Sequence, residues 1–153
     1  MSDDLSIALE KLRTSTQRLN TLTDAAAKIV QDVESFLDEC NVGIGTQVLV
    51  HNVGDESTNE YRYSVYLTYQ RCGDRFRIAV AHHDDDNSYN RPQDVHVRAW
   101  SECSRVEKLD TVVKLPELLV DLATRVDERT IKAEQAVSAI GPLLRPAAKR
   151  KGG

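Results

Sequence analysis

The chain of 153 residues holds no apolar run near the roughly 20 residues that a membrane-crossing helix needs. Its three cysteines, Cys40, Cys72 and Cys103, are far apart, which excludes a C-x-x-C motif and any dense disulfide framework. An odd count at such spacing suits free thiols in a reducing compartment. Also missing are G-x-S-x-G, the phosphate-cradling P-loop, G-x-G-x-x-G and H-E-x-x-H, so no familiar catalytic pattern is present. The opening "MSDDLSIALEK" is acidic where an export signal is basic, and a cytoplasmic location is the expectation. No internal repeat is visible.

What the chain does contain is the composition of a globular protein: 41% hydrophobic, 29% charged, net charge -4. One α+β domain is expected over residues 1–144, with 145–153, "RPAAKRKGG", as a basic flexible tail. The acidic total offers no general attraction to nucleic acid, so where the basic residues sit matters more than their number.

From residue 3 to about 40 the spacing predicts one long helix. Leu5, Leu9, Leu12, Thr16, Leu19, Thr23, Ala26, Val30, Val33, Leu37 and Cys40 alternate steps of four and three over five heptads. "NVGIG" supplies the stop, with Asn41 or Gly43 in a left-handed conformation. At 1.5 Å per residue this helix is about 55 Å long and must overhang any sheet it packs on. Leu22, Ile29 and Phe36 widen its apolar stripe, so the second half is expected to cover the sheet. The narrower first half, with Leu5, Leu9, Leu12 and Leu19, reads as a self-association seam.

The period then changes to two. Strands are predicted at 46–53, 61–71, 75–83 and 94–104, joined by "GDESTNE", "CG" and "DDDNSYNRPQ". A turn at Cys72-Gly73 would set Tyr69 opposite Phe76, Leu67 opposite Ile78 and Val65 opposite Val80. In the fourth strand Val95, Val97, Ala99 and Cys103 take the core side, and His96, Arg98, Trp100 and Glu102 the other. Ser104 and Glu107 form a capping box for a short helix; Pro116 starts a longer one that Gly141-Pro142 ends. The expected architecture is a four-stranded antiparallel meander with its helices on one face, two layers deep.

"AVAHHDDDNSY" (79–89) invites a metal or catalytic reading. Neighbouring side chains on a strand point to opposite faces, so His82 and His83 do not readily share an ion. His82 has core parity opposite Tyr63, the place of a hydrogen-bonded filler. His83 could stand beside His96, with Asp84 or Asp86 at the loop mouth, a set that would suit zinc or iron. Solvated turn aspartates explain the stretch as well. No cofactor or metal is expected, and the metal-dependent enzyme at His83, His96 and Asp84 is the least favoured alternative.

The outer sheet face carries the stronger expectation. Arg62, Tyr66, Arg75, Arg77, Arg98 and Trp100 would form a positive, stacking-competent surface. It suits a protein partner with an acidic surface, or alternatively single-stranded nucleic acid aided by Arg145, Lys149, Arg150 and Lys151. Polar sheet faces with arginine stems over aromatic rings are also ordinary packing. The expected function is a non-enzymatic interaction module (adaptor, inhibitor or small chaperone), dimeric through its helices.

Overall fold

A computed structural model describes residues 2–53, 62–85 and 94–151, with side chains over 3–53, 62–84 and 94–144. Tyr61, Asp86 and the expected loop at 54–60 lie outside the described residues. In chain order come α1 (Ser2–Cys40), β1 (Thr46–Val53), β2 (Arg62–Cys72), β3 (Arg75–Asp85), β4 (Asp94–Ala99), a 3-10 turn (Trp100–Glu102), α2 (Arg105–Val112) and α3 (Leu115–Lys151). The strands form one antiparallel sheet in the order β1-β2-β3-β4. Helices pack on it: Ala26, Val30 and Leu37 of α1 and Leu115, Leu118 and Leu122 of α3 join Val48, Val65, Leu67, Tyr69, Ile78 and Val80 in one core.

Helix α1 ends as its sequence requires. Asn41 and Gly43 both take positive φ, 53° and 60°. The Val42 amide donates to Leu37 O at 3.3 Å and the Asn41 amide to Asp38 O at 3.0 Å, satisfying carbonyls that the last helical turn leaves open.

The β2–β3 hairpin turns at Gly73-Asp74, one residue later than expected. Gly73 has φ 69°, which only glycine adopts without strain at the first central position of such a turn. Every pairing is therefore displaced by two: Tyr69 faces Ile78, Leu67 faces Val80 and Val65 faces His82. A displacement of two leaves each side chain on its expected face.

β4 departs further from expectation. Val95, Val97 and Ala99 pair with His83, Ala81 and Ala79, which puts them on the outer face. His96 and Arg98 pair with His82 and Val80 and so lie on the helix side. The strand is an edge and exposed from Asp94 to Arg98, so no burial difference between its faces sets its parity. It also stops at Ala99 rather than residue 104, and the 3-10 turn carries Trp100 into the core, 1% exposed. There the indole Nε1 donates to Lys108 O at 3.2 Å, and the Lys108 ammonium stands 5.4 Å from the ring centre.

Where β4 leaves the sheet, α1 takes its place as acceptor. The Ile78 amide donates to the Glu34 carboxylate at 3.1 Å, and Arg77 Nε lies 3.5 Å from the same oxygen. Ser104 Oγ accepts from the Glu107 amide at 3.3 Å and caps α2. Pro116 sits in the first turn of α3. The expected stop at Gly141-Pro142 does not occur: backbone helix continues to Lys151. Pro142 and Pro146 each omit one backbone donor, but the leucines and alanines around them favour helix.

Candidate functional site

The outer sheet face does not assemble the expected surface. Arg62, Tyr66, Arg75 and Arg77 lie on it, whereas Arg98 is on the helix side and Trp100 is in the core. Arg62 pairs with Asp85 and Arg75 with Cys72 at opposite ends of the hairpin. Their Cα atoms are about 30 Å apart at the rise of a strand. Between them the face mixes polar residues such as Ser64, Thr68 and Gln70 with buried Ala79, Ala81 and Ala99 and exposed Leu49 and Val97. Arg77 is half-buried and donates to Ser101 Oγ at 2.8 Å. The Tyr66 ring stands against the His83 imidazole, 4.7 Å between centres. The indole is therefore missing from this face, and Tyr66 is the expected aromatic that remains on it.

The histidine pair separates as strand geometry demands. His83 faces out and pairs with Val95; His82 faces the helices and pairs with His96. His83 and His96 are thus on opposite faces, and the expected trio with Asp84 comes apart. Among the described residues no three histidine, cysteine, aspartate or glutamate side chains gather as metal ligands.

His82 instead completes a polar chain across three elements. Its Nδ1 meets Tyr63 Oη of β2, and its Nε2 meets Glu107 Oε1 of α2. Burial first, then the charges of Glu107 and Asp84, push the Tyr63 phenol above its ordinary value. Tyr63 therefore keeps its proton; in the neutral imidazole tautomer whose Nε2–H donates to Glu107, Nδ1 accepts from Tyr63 Oη. Hydroxyl, imidazole and carboxylate stand in the order of a nucleophile, its base and an orienting group, while burial and the neighbouring carboxylates oppose ionisation of this phenol. The chain closes the rim of the core, beside a cavity of about 300 Å³ lined by His82, His96, Arg98 and Glu107 among others. The capping box had marked Glu107, but its carboxylate goes to His82 rather than back to the cap. His82 on the core face was the available signal, because a buried imidazole must find partners.

Among the described residues, α1 and α3 carry most of the exposed large apolar side chains. Every described side chain of α1 from Asp3 to Leu22 is exposed, including Leu5, Leu9, Leu12 and Leu19. Contrary to expectation, Leu22, Ile29 and Phe36 do not cover the sheet; they are 60%, 53% and 61% exposed. Cys40, expected in the core, is exposed as well. Beyond the half-buried Val126, α3 is exposed through Ile140, with Ile131, Val137 and Ile140 in solvent. The two helices scarcely touch. Between their base halves lies a groove of about 540 Å³, lined chiefly by Val33, Phe36, Leu37, Leu119, Leu122 and Val126, with Asp32 and Asp127 beside them. Large contiguous apolar patches are uncommon on monomeric proteins. Comparison with known proteins finds no matching family model, curated protein or solved structure.

Proposed function

We propose that this protein is a non-enzymatic protein–protein interaction module that self-associates through its long helices, working as an adaptor, inhibitor or small chaperone. One observation carries the reading: the line Leu5, Leu12, Leu19, Leu22, Ile29 and Phe36 is exposed along most of α1. A helical segment of about 20 residues is marginal in water without tertiary packing. Among the described residues nothing covers the first half of α1, which needs an apolar partner. A second copy brings the same stripe and forms a homodimer. Three free cysteines suit the reducing cytoplasm. Light scattering across a concentration series tests the reading, with wild type expected as a dimer and Leu12→Glu/Leu19→Glu as a monomer. Wild type that stays monomeric throughout overturns self-association.

A further inference from the structure

Six of the eight exposed large apolar side chains of α1 fall in two rows of heptad spacing, Leu5, Leu12, Leu19 and Leu22, Ile29, Phe36, with Ile7 and Leu9 outside them. The rows are mirror images in sequence. Reflection about the point midway between Leu19 and Leu22 exchanges Leu5 with Phe36, Leu12 with Ile29, and Leu19 with Leu22. A two-fold axis requires this reciprocity, because residue i on one copy must meet residue j on the other, and j must meet i.

We infer that two copies pair their α1 helices antiparallel about that point, so that the first turns of each α1 enter the groove between α1 and α3 of the other copy. The inference rests on the self-association proposed above and specifies its geometry. Opposite Phe36, which lines the groove, the partner copy brings Leu5. A standard stable interface buries about 1,200 Å² or more, and each α1 brings to it six large apolar side chains that are 38–61% exposed. A parallel pair would align the same rows, but it would bring two sheet-bearing bodies together at the level of Phe36. The groove between α1 and α3, about 540 Å³, is the size of a few apolar side chains and far smaller than a second body. Antiparallel pairing keeps the bodies at opposite ends. Charge adds little: Lys11 of one copy comes near Asp32 of the other, while Asp4 comes near Glu39. One attraction and one repulsion, both exposed and screened, leave the apolar rows in control.

Disulfide trapping in a Cys40→Ser/Cys72→Ser background tests the geometry, with buried Cys103 left in place. Leu5→Cys and Phe36→Cys chains are mixed, oxidised and sized alongside each variant alone. The expected product is the mixed Leu5→Cys–Phe36→Cys link, with no Leu5→Cys self-link, because those positions in the two copies lie about 45 Å apart along the helix pair. A dominant Leu5→Cys self-link means parallel helices and overturns the geometry, though not self-association. A dimer by light scattering without either link places the contact elsewhere, with the same consequence. A monomer by light scattering overturns both readings.

Discussion

Residues 26–37 of α1 press Ala26, Val30 and Leu37 into the core, while residues 5–19 hold Leu5, Leu9, Leu12 and Leu19 in solvent. Both segments carry the same alternation of four and three. The first lies over a sheet and the second projects past it, so the pattern that serves folding at one end of the helix is left uncovered at the other. Amphipathicity records that a face is to be covered and leaves open what covers it.

Replacing Trp100 by alanine should injure the body most, by about 3–5 kcal/mol of folding stability in urea unfolding, the range for emptying a large buried aromatic site. Its emission should also resist acrylamide until the chain unfolds; easy quenching in the folded protein would show the indole is not in the core. His82→Phe should cost about 1–3 kcal/mol by stranding Tyr63 Oη and the Glu107 carboxylate, with little change in assembly. Leu12→Glu should do the opposite. The unfolding of the monomer should shift by no more than about 0.5 kcal/mol, as for surface changes generally, while the dimer dissociates. A loss of monomer stability as large as that of Trp100→Ala would end the contrast between the two regions.

Asp121 allows a pH test at the junction of body and helix. Hydrogen bonds from Thr46 first and Arg125 second hold its carboxyl below the usual value. A folded value below the unfolded one stabilises above the ordinary carboxylate range, and the gain is lost as pH falls through the folded value. The stability difference between wild type and Asp121→Asn should therefore be full near neutrality and shrink below about pH 4. Because Asp121 is more than a third exposed, water screens the effect and it should be small. The gentlest test is thiol labelling. Burial pushes the Cys103 thiol up to about 11, so it should stay unlabelled at neutral pH while exposed Cys40 reacts. Dilution that separates dimers should speed the Cys40 reaction, since Cys40 lines the proposed contact groove.

Much of the fold is legible before any coordinates. The ends of α1, the cap at Ser104, Pro116 in the first turn of α3 and the faces of β2 and β3 follow from local rules about caps, turns and period two. Even the misplaced hairpin turn did no harm, because a slip of two residues preserves parity. The proposed binding face was less legible. It depended on carrying parity from β3 across to β4 and along to residue 104, and both steps failed, removing Arg98 and Trp100 together. The groove between α1 and α3 left no trace in the sequence, since it belongs to two helices far apart in the chain.

The sequence by itself determined the elements, their order and the apolar side of each strongly patterned one, because side-chain period and cap chemistry act over a few residues. Only the tertiary structure decided which faces are sealed. An exposed edge strand has no burial difference to set its register, a 3-10 turn sends the indole inward, and His82 finds Glu107 on a helix more than twenty residues away. Half of α1 meets the sheet and half meets water because the sheet is shorter than the helix, a fact of dimensions that no single segment contains.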